Sequence, residues 1–176
     1  MRAYQPFDAR EGGMLDRIMD FVRDNETCFD RNLKAGHLTG SAWIIDRDRS
    51  HALLTHHAKL GFWVQLGGHV EYDPDMLNVA WREAREESGL DSVRPVSDHI
   101  FDVDVHEIPA TPNAPSHFHY DIRFLFEADR GAELTVSAES KSLRWIAFDE
   151  ITDLTREESV LRMVRKTVSV GAALPR

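Results

Sequence analysis

Apolar residues recur along this chain with two different spacings, which separate predicted helices from predicted strands. Between residues 11 and 25 they repeat every three or four positions, and a similar repeat runs through residues 155–168. This spacing puts apolar side chains on one side of a helix, so both segments are predicted to be amphipathic helices. The apolar positions are Met14, Leu15, Ile18, Met19, Phe21 and Val22 in the first helix, and Val160, Leu161, Met163, Val164 and Val168 in the second.

Segments of alternating apolar and polar residues between these helices predict strands. Asp46 to Ser50 are predicted to form a turn, and the three prolines between Pro109 and Ser116 indicate a loop. Helices that flank antiparallel hairpins predict the α/β class, with a mixed sheet between the helices. The predicted strands span residues 38–45, 52–55, 100–107, 118–128 and 143–148, and Phe62-Trp63-Val64 is typical of a strand end.

A further helix is predicted before Gly89. Asp73 is its predicted N-cap, Pro74 suits its first position, and Asp75 complements the positive end of the helix dipole. One stripe of this helix can pack on a core. Its members are Leu77, Ala80, Trp81, Ala84 and Ser88.

Three carboxylates, those of Glu83, Glu86 and Glu87, fall within an arc of roughly 100° on a neighbouring side of this helix. They repel one another, and two lie in the last turn, where the helix dipole disfavours anions. A hard divalent cation removes this conflict because it prefers oxygen ligands. Arg82 precedes Glu86 by four residues and can hold one carboxylate in position. The alternative is a solvated acidic face without a ligand.

Two glycines before the helix favour the metal-binding interpretation. Gly67-Gly68 follow the apolar run that ends at Val64. Backbone without side chains can come close to an ion or a phosphate and leaves carbonyls and amides available. A diglycine before a helix with a terminal carboxylate cluster is far more specific than either feature alone.

Residues 68–90 resemble the Nudix box, which reads Gly, five residues, Glu, seven residues, Arg-Glu, an aliphatic, any residue, Glu-Glu, any residue, Gly and an aliphatic. Pro74 replaces the early Glu, and Leu66 stands where the family's Trp-x-x-Pro-Gly-Gly has its proline. The box covers about a seventh of the chain and specifies the family more closely than the substrate. The matching residues are Gly68, Arg82, Glu83, Ala84, Glu86, Glu87, Gly89 and Leu90.

The resemblance implies a Nudix-type α/β/α sandwich that cleaves a phosphoanhydride bond with water and Mg²⁺ or Mn²⁺, typically in a nucleoside diphosphate linked to another moiety. It implies Glu86 and Glu87 as principal metal ligands, Glu83 as a further ligand or the base, and the Gly67 carbonyl as a backbone ligand. Such metal ions neutralise a diphosphate and lower the pKa of bound water. Glu139 is a further candidate for the base or for a metal ligand, against the alternative of an ordinary exposed loop residue.

Two predicted strands carry His and Asp residues at every second position, which places each set on one side of its strand. If the strands pair across the proline loop, these groups converge and could bind a phosphate, a sugar or an additional metal. The alternative is a hairpin with a polar, half-exposed outer face. His119 and Asp121 are the first substrate-binding candidates. The full sets are Asp102, Asp104 and His106, and His117, His119, Asp121 and Arg123.

Three residues near the diglycine complete the candidates for substrate binding. Lys59 could neutralise a phosphate, His69 could hydrogen-bond one, and Trp63 could stack on a base. Each is otherwise an ordinary surface or core residue.

Length and composition fit one compact domain. The 176 residues, 42% of them apolar, predict a single domain with a helical extension over residues 1–35 and a catalytic core over 36–170. The extension either packs on the core or helps to form a homodimer. The sequence contains no apolar run of about 18 residues that would predict a membrane span, and its N-terminus shows no secretory pattern. The single cysteine, Cys28, cannot form an internal disulfide. A cytoplasmic protein is therefore predicted. A net charge of −9 argues against nonspecific binding to nucleic acid. The small-molecule diphosphate expected as partner is what the Nudix resemblance implies.

Two other functions stay open on the sequence. An isoprenoid diphosphate isomerase of the same fold would use an active-site cysteine, and Cys28 lies in no such motif. A noncatalytic nucleotide-sensing domain would keep the fold and lose hydrolysis. The retained glutamates favour catalysis. Pro74 in place of the early Glu leaves the sensing domain as an alternative.

Overall fold

A computed structural model of the chain describes residues 3–58, 61–71, 73–111, 115–137 and 140–170. The structure contains the predicted helices and strands. The strand predicted from residue 100 begins earlier, at Arg94, and a one-turn helix, Ile151–Leu154, precedes the C-terminal helix. The helices are α1 Ala9–Asp24, α2 Met76–Ser88, α3 Ile151–Leu154 and α4 Glu158–Val170. The strands are β1 Gly36–Asp46, β2 His51–His57, β3 Trp63–Val64, β4 Leu66–His69, β5 Arg94–Ile108, β6 His117–Ala128 and β7 Ser140–Ala147.

The seven described strands form one mixed sheet, which confirms the predicted architecture. Its main path runs β3-β2-β1-β6-β5, while β4 also pairs with β1 and β7 with β2. The central pair, β1 and β6, is parallel from Gly36 opposite Phe118 to Asp46 opposite Ala128. The other pairings are antiparallel, including the predicted β5–β6 pair.

Side chains of β1 alternate between two hydrophobic cores, because successive residues of a strand point to opposite faces. Every residue of β1 is buried, as expected for a strand in the middle of a sheet between helices. Ala42 and Ile44 belong to the core that receives α1 and α2. Trp43 and Ile45 belong to the core that receives α3 and α4.

The N-terminal helix α1 packs on the core that contains Ala42 and Ile44, which we call the first core. Ile18 and Phe21 are buried there, and the Phe21 ring stacks on Tyr120 with 3.8 Å between centroids. Asp8 caps the helix by accepting a hydrogen bond from the Glu11 amide. Cys28 is also buried, with 4% of its surface exposed, and burial raises the pKa of its thiol. None of the helices in the described ranges has the length and apolar character needed to cross a membrane.

Seven charged side chains are buried where α1 and α4 meet the polar face of β5 and β6. Arg162 donates two hydrogen bonds to Asp102, at 2.7 and 2.8 Å, and Lys166 donates one to Glu11 at 2.7 Å. The Tyr4 hydroxyl also donates a hydrogen bond to Glu11. Burial alone would raise the pKa of Glu11, but the hydrogen bonds from Lys166 and Tyr4 lower it to about 2. Buried charges are tolerated only when paired in this way. The set is Glu11, Asp102, Asp104, Asp121, Arg123, Arg162 and Lys166.

Helix α2 lies unusually close to the sheet because two glycines face it. Gly40 of β1 lies opposite Gly68 of β4 in the strand register. A Cβ atom at Gly40 would lie 2.9 Å from Cγ1 of Val79 and 3.1 Å from the backbone N of Ala80. The backbone of α2 therefore packs directly on the sheet at this point.

We expect Gly40→Ala to destabilise the fold by about 1–3 kcal/mol, because the added methyl meets helix backbone that cannot rotate away. Gly13→Ala is the matched control, since nothing lies within 4 Å of a Cβ at this helical position, and alanine there should stabilise by roughly 0.5–1 kcal/mol. Urea unfolding of both variants measures the two effects. Equal stabilities for the two variants would contradict the close packing of α2.

Candidate active site

Helix α2 begins two residues later than predicted. Its N-cap is Asp75, whose carboxylate accepts hydrogen bonds from the amides of Leu77 and Asn78 at 3.0 and 3.4 Å. The prediction of Asp73 as N-cap and Pro74 as first helical residue was wrong. Asp73 instead accepts from the Asp75 amide, two residues on, at 2.9 Å, and this local turn across Pro74 delays the helix.

The predicted end of α2 is confirmed. Gly89 has a φ of 70°, a left-handed conformation that favours glycine, and its amide donates to the Arg85 carbonyl at 2.8 Å. Ala80, Ala84 and Ser88 are fully buried on the side that faces the core. The acidic residues between these positions are thereby held on a defined side of the helix.

Arg82 holds two of the three acidic side chains. Its Nη1 donates to Glu86 at 2.9 Å, which confirms the predicted pair four residues apart, and its Nη2 donates to Glu83 at 2.8 Å. Nη2 also donates to the backbone carbonyl of His69 at 2.8 Å, a contact that spacing alone does not reveal. Burial alone would lower the pKa of Arg82, but the negative charges of Glu83 and Glu86 raise it. Arg82 therefore joins the helix carboxylates to the end of β4.

The three glutamates differ in their surroundings. The Glu83 side chain is 14% exposed and that of Glu86 is 60% exposed, while Glu87 is buried. A Cβ atom at Gly68 would lie 2.5 Å from the carboxylate carbon of Glu83. Glu83 thus occupies the space that a side chain at Gly68 would fill, so this carboxylate of the helix meets the diglycine.

The donor set of α2 fits a hard divalent cation in type and in place. Carboxylate oxygens are the ligands that Mg²⁺ prefers, and the diglycine backbone lies beside Glu83. The three glutamates are not among the described groups whose ligand atoms all lie within 4.8 Å of one another. Like charges repel, and Arg82 binds two of the carboxylates, so joint coordination requires these side chains to rotate. The Gly67 carbonyl stays a predicted ligand.

Five histidines from four strands gather on the other face of the sheet. The register puts His37 opposite His119, His106 opposite His119, and Thr39 opposite His69. The ring of His37 lies 4.9, 5.2 and 4.8 Å from the rings of His69, His117 and His119, measured between centroids. The predicted convergence of the β5 and β6 histidines is confirmed.

His37 is a member of this cluster that the sequence interpretation missed. It is 1% exposed, and burial, followed by the nearby His69 and His117, lowers its pKa to about 4. Burial likewise lowers the pKa of His119. The available signal was the alternation of His37, Thr39 and Ser41 along β1, which matches the polar alternation of β6.

Asp121 is committed to contacts within the protein. It is 1% exposed and accepts hydrogen bonds from Thr39, Ser41 and Arg123 at 2.9, 2.7 and 2.7 Å. Asp102, Asp104 and Arg123 are buried as well, so the alternative of a polar outer face on this hairpin was wrong for these positions. Arg162 and Lys166 of α4 contact Asp102 on this face.

One of the remaining candidates, Trp63, lies in β3. Trp63 is half-buried, with the Arg144 guanidinium 5.8 Å from its ring centroid. Lys59 and Glu139 lie outside the described residues. A cleft of about 450 Å³ runs along α2 and is lined by Asn78, Trp81, Arg82, Arg85, Glu86, Gly89 and Asp91.

Comparison with solved structures gives the fold. The chain is similar to a C. elegans Ap4A hydrolase in a binary complex, with 15% identity, a TM-score of 0.60, and 77% of this chain and 97% of that chain covered. It is also similar to the E. coli dihydroneopterin triphosphate pyrophosphohydrolase (16% identity, TM-score 0.56, 73% and 92% covered). A NUDIX family hydrolase from Clostridium perfringens is similar at 22% identity, with a TM-score of 0.52 and 76% and 97% covered.

Comparison of the sequence gives the family. No curated protein matches the chain. The model of the NUDIX domain matches residues 37–166, from the start of β1 into α4, which is well over half of the chain and includes the diglycine and all three glutamates of α2. With the α/β/α fold and the carboxylates of α2 in place, this match shows that the chain belongs to the Nudix hydrolase family.

Proposed function

We propose that this Nudix hydrolase uses Mg²⁺ or Mn²⁺ to cleave a phosphoanhydride bond in a nucleoside diphosphate derivative or a related diphosphate. The observation that carries the proposal is the position of Glu83, which fills the space beside Gly68 while Glu86 and Glu87 follow on the same helix. Stability alone would not gather three carboxylates near the negative end of a helix.

The roles that we propose for the residues are those that the Nudix box implies. Glu86 and Glu87 are the principal metal ligands, Glu83 is a further ligand or the base, and the Gly67 carbonyl is a backbone ligand. Glu139 stays the alternative base. When bound, the metal neutralises the diphosphate and lowers the pKa of the attacking water. Arg82 positions two of the carboxylates through its hydrogen bonds at 2.8 and 2.9 Å.

The names of two similar structures support the substrate class. One is a hydrolase of Ap4A and the other a pyrophosphohydrolase of dihydroneopterin triphosphate. Because the net charge here is −9, local cations must draw in an anionic substrate. We propose that Lys59 contacts phosphate and that Trp63 stacks on a base. The rings of His69 and His119 lie on the face of the sheet away from α2, so we propose that they contact a part of the substrate that reaches that face. Asp121 can act only through its buried hydrogen bonds.

The surroundings of Cys28 weigh against the isomerase alternative. Such chemistry needs an accessible cysteine, whereas Cys28 is buried in the first core and burial raises the pKa of its thiol. A loss of the carboxylates would favour a noncatalytic sensor, but Glu83, Glu86 and Glu87 are all retained. A cytoplasmic location and a homodimer stay predictions.

A release screen tests the proposed function. The full chain is incubated with nucleotide sugars, dinucleotides and nucleoside triphosphates in the presence of Mg²⁺ or Mn²⁺, and phosphate or nucleotide release is measured. We expect metal-dependent turnover that Glu86→Gln abolishes, since the change removes charge and preserves volume. Glu133→Gln, the same change at an exposed position outside the site, should retain turnover. Full activity of Glu86→Gln would refute the assigned role, and no turnover by the wild type would favour the sensor.

Arg82→Ala should weaken Mn²⁺ affinity by about 10–100-fold, the usual effect of losing a group that orients metal ligands. Arg85→Ala is the control, because Arg85 lies on the same helix and pairs with the exposed Asp91 instead. Titration of each variant with Mn²⁺, followed by electron paramagnetic resonance, compares the affinities. If both variants bind Mn²⁺ like the wild type, Arg82 does not position the carboxylates.

Gly68→Ala should reduce turnover by roughly 100-fold, the scale expected when a reacting group moves by about an ångström. The new methyl displaces the far end of the Glu83 side chain rather than backbone, so thermal stability should change little. Gly13→Ala serves again as the control for a methyl added without contacts. Normal turnover in Gly68→Ala would show that the position of Glu83 beside the diglycine is unimportant.

A further inference from the structure

Three histidines at the start of β1 and β6 have the spacing of metal ligands. In His37, His117 and His119, one ring nitrogen each lies within 4.8 Å of the other two. In the part of the chain that the structure describes, these three histidines form a group of possible metal ligands within this distance of one another. The three glutamates of α2 do not form such a group. Zinc–imidazole bonds measure roughly 2.0–2.1 Å, so small rotations of the three rings suffice to coordinate one ion.

His37 gives independent evidence for a ligand. Its side chain is 1% exposed, and neither ring nitrogen has a hydrogen-bond partner in the described protein. The Nε2 atom of His119 is buried without a partner too. Buried polar groups are almost always satisfied, and leaving one unsatisfied is costly. Coordination of an ion would give one ring nitrogen of each residue the missing partner.

His117 is oriented as metal-binding histidines usually are. Its Nδ1 lies 3.0 Å from the carbonyl oxygen of Pro115. A carbonyl can only accept, so Nδ1 carries the proton and Nε2 presents its lone pair. Metal-ligating histidines typically donate their second ring N–H to a carbonyl or carboxylate in this manner.

We propose that His37, His117 and His119 together bind one divalent transition-metal ion of the zinc type. Three neutral imidazoles favour Zn²⁺ and similar ions over Mg²⁺, which prefers oxygen. The ion would join the first residues of β1 to the first residues of β6. His69 and His106 flank the group, with ring centroids 5.3 and 5.5 Å from that of His119.

This site is separate from the carboxylates of α2. Gly40 and Gly68 face α2. Because residues of a strand alternate, their neighbours Thr39 and His69 point to the opposite face, on which His37 lies. The proposal does not rest on the hydrolase activity, so either can fail without the other.

Cobalt titration of the full chain tests the site. Co²⁺ is added in excess Mg²⁺, which occupies oxygen sites, and its visible absorption is followed. We expect saturation at about one equivalent, an absorption typical of nitrogen coordination at low coordination number, and displacement of Co²⁺ by Zn²⁺, which binds such sites more tightly. Zn²⁺ should also raise the melting temperature, because it binds the folded chain. No Co²⁺ band would overturn the proposal.

Variants identify the ligands. His117→Ala and His119→Ala should each lower Co²⁺ affinity by at least roughly 10–100-fold, the loss known even for groups that only support a ligand. His117 is half-buried, so its truncation should leave the fold intact. His99→Ala, at an exposed position of β5, is the matched control, and Glu86→Gln should bind Co²⁺ like the wild type. If Glu86→Gln loses the band while His117→Ala keeps it, the ion lies on the carboxylates and the proposal is wrong.

Discussion

The close approach of α2 to the sheet is the constraint on which the candidate site depends. Gly40 and Gly68 lie opposite each other on β1 and β4, and both present bare backbone to the helix. Val79 fills the space over one glycine and the Glu83 carboxylate fills the space over the other. A side chain at either position would move the helix or its acid. The place of the helix that carries the carboxylates is therefore set by backbone packing, which is stiffer than any contact between flexible side chains.

The opposite face of the sheet is organised by charge. Asp121 binds Thr39, Ser41 and Arg123, so it links β1 to β6 and supports the register in which His37 meets His119. A buried ionic network of this kind is weak evidence for net stability, because desolvation offsets much of the attraction. Its effect is specific pairing, since any shift of a strand would leave a charge buried without its partner.

Features that depend on local spacing could be predicted from the sequence. The end of α2 at Gly89 and the pair of Arg82 with Glu86 are such features. The helix start was wrong because two acids, Asp73 and Asp75, compete for the same role, and the turn across Pro74 decides between them. His37 was missed because its neighbours come from other strands: His69 from β4, and His117 and His119 from β6, some 80 residues away. The burial of charge on α4 was missed for the same reason: Arg162 and Lys166 find their partners on β5 and α1.

The two faces of β4 offer different chemistry to cations. On one face lie carboxylate oxygens, which suit hard ions; on the other lie neutral imidazoles, which suit borderline ions. His69 touches both, because its carbonyl accepts from Arg82 while its ring lies beside His37 and His119. The backbone of β4 is paired with β1 over four successive residues, so a rotation of the His69 ring need not move its carbonyl. The donor atoms alone should therefore sort Mg²⁺ to one face and a zinc-type ion to the other, and each site can be removed by substitution without disturbing the other.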